Sequence, residues 1–259
     1  MATRNVLVGR NLAIWADGYD ISGNGNEVKI KRDAAKIDAT VFGDHFSYDL
    51  AGIQKASLEF KGFYAAGYNF LDQIVNARFG QTADVLTLTA PAGLAAPVGA
   101  VFQPAILMPS VLTKYDIDVK LKGAVDIDAE FDARGAIDSG FILISPIAAL
   151  TATTTGLPLD NTANGGATTG GWAAQLHVGA VSGTTPSLTA KLQGSPDGTT
   201  WTDIPGALFA AVTTANQAQR LTMPNGVSLP AQVKAVCTIT GTTPSFNAMV
   251  AVSRTVVYT

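Results

Sequence analysis

Between Tyr115 and Asp132 the chain alternates without a slip. Ile117, Val119, Leu121, Val125, Ile127, Ala129 and Phe131 share one parity; Asp116, Asp118, Lys120, Lys122, Asp126, Asp128, Glu130 and Asp132 share the other. Successive strand side chains point to opposite faces, so the segment is β-structure with one apolar and one mostly acidic wall. A helix is excluded, because at its period the two classes would mix around the axis. Two geometries keep the parity. One is a single strand of roughly 55 Å at ~3.3 Å per residue, bent at Gly123. The other is a hairpin through Lys122-Gly123-Ala124, pairing Leu121 with Val125 and Lys120 with Asp126. The hairpin would set Asp118 opposite Asp128 and Asp116 opposite Glu130. Like charges directly opposite are destabilising, so the long strand is favoured.

The same reading extends along the chain. Val28-Lys-Ile-Lys, Lys36 to Phe42, and Ala56 to Phe63 read as strands, as do Val85 to Ala90 and Val101 to Met108. Phe70, Leu71, Ile74, Val75 and Arg78 follow a helical spacing over 69–79, with Gly80 as the stop. One helix among strands predicts a β-sandwich or partial barrel with a flanking helix. Beyond residue 171 every pattern is strand-like: Trp172 to Val178, Leu188 to Leu192, Val233 to Ile239, Phe246 to Val252. Gly183-Thr-Thr-Pro-Ser187 recurs as Gly241-Thr-Thr-Pro-Ser245, each between alternating runs, which predicts one hairpin connection used twice. Gly194-Ser-Pro-Asp-Gly198 predicts a further tight turn.

Charge then divides the chain. After Leu150 the only charged residues are Asp160, Lys191, Asp197, Asp203, Arg220, Lys234 and Arg254. Thr151 to Gly171 is rich in Thr, Asn, Ala and Gly and reads as a linker. The expected domains are 1–150, with the helix, and an all-β sandwich over 172–259, joined by 151–171. The formal charge of −3 leaves no basic footprint for gripping nucleic acid. Only 14% of residues are charged, and mean hydropathy is +0.24, which points to surface covered by other subunits. Pro91, Pro97, Pro104 and Pro109 interrupt the uncharged stretch from Val85 to Thr113, so no membrane insertion is expected there. The N-terminus lacks a signal-peptide apolar core. The lone Cys237 allows no intrachain disulfide, fits cytoplasmic synthesis, and sits in an alternating run as a buried small residue.

Candidate chemistry is sparse. His45 and His177 are the only histidines and share no metal-ligand spacing, so no metal site is expected. Ser195 lies in a turn with glycines at the wrong offsets for a nucleophile elbow. No catalytic or cofactor-binding residue is assigned, and the chain is not expected to be an enzyme. The Asp126/Asp128/Glu130/Asp132 comb points in parallel with about 6.6 Å between alternate residues, unlike a calcium loop that folds carboxylates inward. Trp172 reads as sandwich core, whereas Trp201 is open to a carbohydrate-stacking role.

The segment from Lys36 through Thr40-Val-Phe-Gly-Asp44, Gly52-Ile-Gln-Lys-Ala56 and on to Gly62-Phe63 resembles the N-terminal signature of tail tube (major tail) proteins of long-tailed bacteriophages. The helix at 69–79 and the alternating strand ending near Asp132 follow in the order that family shows, over about residues 10–145. Leu192 to Asp203 resembles sandwich modules appended to phage structural proteins. The resemblance implies a virion tail protein, assembled in the host bacterial cytoplasm, whose copies form hexameric rings that stack into a tube. It implies partnership with itself, the tape measure and other tail proteins, and transient non-specific passage of DNA. A conduit for a polyanion should repel phosphate. The lumen-lining candidates are therefore Asp116, Asp118, Lys120, Lys122, Asp126, Asp128, Glu130 and Asp132, with Glu59 and Lys61 as rivals. Phe42, Phe46 and Tyr48 are inter-subunit candidates, with a local core cluster as the competing reading. The alternative function is a non-enzymatic sandwich module of a minor tail or baseplate protein that recognises cell-surface glycans.

Overall fold

The computed structural model describes residues 12–41, 46, 49–64, 71–80, 85–91, 104–119, 123–135, 137–145, 148–160 and 166–254. The fold is mainly β and antiparallel, with one short helix. The strands are β1 (Leu12–Ala16), β2 (Tyr19–Asp20), β3 (Gly25–Asp38) and β4 (Asp49–Phe63), followed by α1 (Leu71–Arg78). Next come β5 (Val85–Pro91), β6 (Pro104–Asp118), β7 (Asp126–Ala133), β8 (Asp138–Ile144), β9 (Thr154–Thr155) and β10 (Leu159–Asp160). The last four are β11 (Trp172–Ser195), β12 (Thr202–Leu208), β13 (Gln217–Met223) and β14 (Gln232–Arg254).

Two compact units emerge, and they interleave along the sequence. One gathers Met1–Ser22, Leu86–Met108 and Asp138–Thr259; the other gathers Gly23–Val85 and Pro109–Ile137. The boundary expected near 150–170 falls inside the first unit. The physical reason is strand pairing: β8 pairs with β14, matching Phe141 to Val252 and Gly140 to Ser253.

The first unit is built on β11 and β14, which pair from Trp172↔Arg254 to Ser195↔Gln232. β13 flanks the first part of β11, and β8 flanks the last part of β14. β12 flanks the second part of β11, while β9 and β10 flank the first part of β14. Apolar side chains from both ends of this ribbon meet in one core, Trp172, Leu176 and Val250 from one end with Leu188, Leu192 and Val233 from the other. The ribbon is thus doubled over into two layers. Cys237 is buried in that core, and burial pushes its thiol up to about 12.

The repeated Gly-Thr-Thr-Pro-Ser motif makes the corner, which corrects the expected pair of hairpin connections. The two copies lie opposite one another inside paired strands, at register shifts around Ser182, Thr184 and Ser187. Gly183 and Gly241 take φ of 113° and 122°, and Thr185 and Thr243 take 46° and 47°. A Cβ on Gly183 would stand 2.7 Å from the Thr243 carbonyl oxygen, and one on Gly241 2.8 Å from that of Thr185. Strands that pass from one layer to the other do so through such bulges. The residues that punctuate a turn between strands also serve a bend within them, so the motif alone does not separate the two.

A second lock joins the N-terminal hairpin to this unit. The turn at Asp17 and Gly18 has positive φ at both positions, as a two-residue hairpin requires. The Gly18 amide donates to Nδ1 of His177 at 3.2 Å, and Nε2 of His177 lies 3.1 Å from Gln175 Oε1. The imidazole is therefore neutral and protonated on Nε2. Trp15 meets its edge at 6.2 Å between ring centroids.

Two expectations follow from these contacts. Burial pushes His177 down to about 3 from its ordinary 6.5. Its contribution to stability is full above pH 6.5 and is lost as pH falls from 6.5 toward 3, because only the unfolded chain takes up the proton. In urea titrations below pH 6, wild type should lose about 1.4 kcal/mol per pH unit more than His177→Gln; parallel curves would contradict the assignment. Gly183→Ala and Gly241→Ala should each cost about 1–3 kcal/mol at the strained corner, while Thr184→Ala beside them stays near wild type in the same assay.

Candidate functional site: a charged sheet and its arm

The second unit contains a sheet in the order β3-β4-β7-β6. The favoured single strand over 115–132 is corrected here, because β6 ends at Asp118 and β7 returns from Asp126. The register is Asp118↔Asp126, Ile117↔Ile127 and Asp116↔Asp128, with a shift between Leu112 and Lys114. The connection is longer than the Lys122-Gly123-Ala124 loop, and the pairing slides by two residues, which leaves the parity untouched. For the facing Asp116 and Asp128, the electrostatic objection to a hairpin is met by a side chain outside the alternating run. Lys114 Nζ lies 2.7 Å from Asp128 Oδ2 and 3.1 Å from Asp116 Oδ2, between the two carboxylates. Those bonds, to Asp128 first and Asp116 second, hold the ammonium well above the usual lysine range.

Each face of the sheet then follows from parity. Leu58, Phe60, Leu112, Ile127, Ala129 and Phe131 are buried on one side. On the other side Asp116, Asp118 and Asp132 are exposed, and Asp126, Asp128 and Glu130 are half-buried. Lys120 and Lys122 lie outside the described residues. The rivals Glu59 and Lys61 share this charged face, standing opposite Glu130 and Asp128. β3 extends it, with Glu27 opposite Lys61, Lys29 opposite Glu59 and Lys31 opposite Ser57. Lys31 is bonded to Glu59, which lowers that carboxyl and raises the lysine. The face is thus graded, with lysines gathered on β3 and β4 and carboxylates on β7 and β6. The alternation of Val28-Lys-Ile-Lys carried that signal, but without the register its lysines could not be placed beside the acids. A cleft of about 380 Å³ opens at one end of the face, lined by Glu27, Lys61, Asp116, Asp118, Asp126 and Asp128 among others.

β3 and β4 continue past this sheet as an arm. β7 covers β4 only from Ser57 to Phe63. Among the described residues, 32–38 and 49–56 pair only with each other. Every side chain from Arg32 to Asp38 is exposed. Ile37 and Leu50, a cross-strand pair, are 52% and 45% exposed, Val41 is 68% and Phe46 87%. Phe46 is therefore no part of a local core. Phe42 and Tyr48 lie outside the described residues.

The remaining candidates lie in the first unit. Ser195 Oγ is bound within its own turn, donating to Asp197 and accepting from the Gly198 amide. Trp172 is buried, and the Lys234 ammonium sits 4.1 Å from the centre of the Trp201 ring, over its face. Among the described residues no group of three or more His, Cys, Asp or Glu is placed to hold a metal ion.

No protein-family description and no curated protein sequence matches the chain. Solved structures of low identity resemble it. A component of a native gene transfer agent virion is 15% identical at a TM-score of 0.40, over 52% of this chain and 98% of that one. A component of the tail of an empty gene transfer agent particle with C6 symmetry is 18% identical at 0.37, over 51% and 97%. The Dit protein of phage SPP1, described as a hub of an adsorption apparatus, is 12% identical at 0.34, over 95% and 99%. Activity and partners have to come from the chain's own residues.

Lys114→Met should leave Asp116 and Asp128 facing each other without their shared cation. The melting temperature should fall, and added salt, which screens like charges, should recover more of it than in wild type. Adding Asp128→Asn to that variant should restore stability at low salt; an unchanged melting temperature in Lys114→Met would contradict the bridging role.

Proposed function

We propose that the chain is a structural subunit of a phage-type tail. In this reading copies self-assemble into hexameric rings, the rings stack into a tube, and the charged face of the β3-β4-β7-β6 sheet lines a conduit for DNA. One observation carries the proposal: a single sheet backs a buried apolar face with a solvated, net acidic one and extends into an arm on which Ile37, Val41, Phe46 and Leu50 are exposed. The strands of one domain cannot enclose a duplex, since barrel width grows with strand number, so a bore needs walls from several chains. Closure into a ring would also cover strand edges that are otherwise open to misassembly.

The chemistry suits passage rather than grip. Proteins that hold DNA neutralise its phosphates with lysine and arginine. Here Lys31 is bonded to Glu59 and Lys114 to Asp128 and Asp116, so these ammonium groups are already satisfied and the excess carboxylates repel phosphate at short range. The arm supplies the adhesive part, with Phe46 as its anchor. Partners in this reading are the chain itself, the tape measure and other tail proteins, with DNA only in transit and no catalytic role. The virion tail is its place of action.

Negative-stain electron microscopy of concentrated protein is the direct test. Stacked rings with an axial bore are expected. Single rings that never stack would assign the chain to a hub at the tail end, and persistent monomers would overturn the proposal. Replacing Asp126, Asp128 and Glu130 together by Lys should leave assembly intact and turn the bore adhesive, seen as salt-sensitive retention of short DNA duplexes by assembled particles. Particles that retain no more DNA than wild type would place these residues elsewhere.

A further inference from the structure

The N-terminal hairpin is seated on β11 through contacts that meet at one imidazole. The Gly18 amide has His177 Nδ1 as its acceptor, and Trp15 packs against the same ring. Gly179 leaves room for the Trp15 indole, since a Cβ there would stand 3.1 Å from Cη2. The turn is wedged against the start of β13, where a Cβ on Gly18 would stand 2.5 Å from the Gln217 amide nitrogen. Trp15, Gln175 and His177 are all buried. An imidazolium carries N–H groups on both nitrogens and has no lone pair to offer. A proton on Nδ1 would therefore face the Gly18 N–H, in surroundings that do not solvate a charge.

We infer that the hairpin over residues 12–22 is an acid-released strap: protonation of His177 lifts its turn from β11 while β11 and β14 stay paired. Release needs one copy of the chain only and is independent of the conduit. Opening is local, because β11 is gripped along its length by β13 and β14, whereas the Gly18 amide ends on the titrating ring. The charged groups on the surrounding elements are engaged elsewhere. Asp17 in the turn accepts from the Leu86 amide at 2.8 Å, Asp20 of β2 accepts from the Ser22 amide at 3.0 Å, and Arg220 of β13 is bonded to Asp138 of β8. Directly opposite His177 stand Ala218 of β13 and Met249 of β14. Burial pushes the ring toward its neutral form in the seated state, so acid favours the lifted one. An ordinary aspartate titrates at about 3.9, below the window over which a lifted His177 takes up its proton.

Hydrogen–deuterium exchange resolved to single amides tests this on wild type and on His177→Asn, whose Oδ1 accepts a hydrogen bond and does not titrate. Between pH 6.5 and 4.5, with intrinsic exchange rates divided out, the opening of the wild-type Gly18 amide should rise about tenfold per pH unit. The amides of Ala248 to Val252 on β14 should stay closed over the same range, and Gly18 in His177→Asn should show no such rise. A flat wild-type Gly18 would overturn the inference. So would β14 amides that open in step with it, since the transition would then be global unfolding rather than release of a strap. A rise in His177→Asn equal to that of wild type would overturn it too, assigning the trigger to another group. The wild-type comparison of Gly18 with β14 is decisive even where the variant fails to fold.

Discussion

Water on one side and hydrocarbon on the other is the constraint under which the β3-β4-β7-β6 sheet exists. Phe60 and Phe131 are essentially inaccessible on its apolar face, and the opposite face holds rows of carboxylates that no dry environment could accept. Such a sheet can be covered on one side only. Whatever approaches its charged side must be aqueous, charged or both. Two of the lysines that share the face are spent inside it: Lys114 lets two aspartates stand opposite each other, and Lys31 is held by Glu59. What remains outward is negative in excess, and the conduit reading depends on that local neutralisation rather than on net charge alone.

The other unit solves a different problem. Two long strands, β11 and β14, supply both layers of a sandwich by bending together at one corner, and the bend is made by the same five residues in each. Residues in left-handed backbone conformations carry strain that surrounding structure must offset, and here a shared core drawn from both ends of the ribbon does so. His177 adds a local condition of the same kind. Its neutral ring is required as an acceptor for the Gly18 amide, so the N-terminal hairpin stays seated only while that ring stays unprotonated.

What the sequence made legible was parity, and what it hid was partnership. The split of Ile117, Ile127, Ala129 and Phe131 from Asp116, Asp128 and Glu130 was readable because strand side chains alternate whatever the strand pairs with. The same property made a long strand and a hairpin equivalent on paper. The deciding atom, Lys114 Nζ, belongs to a residue just outside the alternating run. The helix over 69–79 was legible too, appearing as α1 with Gly80 past its end at φ 71°. The interleaving of the two units was not, since β8 finds β14 more than a hundred positions away and no local pattern encodes such a pairing. The lysines of β3 and β4 were visible as charges, but only register shows that they adjoin the acidic strands. Phe46 was legible as a turn-region aromatic, yet its exposure is a property of an arm that outruns its sheet.

The location of the charged face in the assembled particle is the point on which the account stands. Cys237 is the only cysteine and is buried with a raised thiol, so a single cysteine introduced at exposed Asp132 can be labelled selectively. Attaching a thiol-reactive gold cluster to Asp132→Cys particles and averaging their electron micrographs places that side chain directly. Gold density along the axis, inside the bore, is the predicted result. Gold decorating the outer wall, or particles with no bore to enter, would contradict the account.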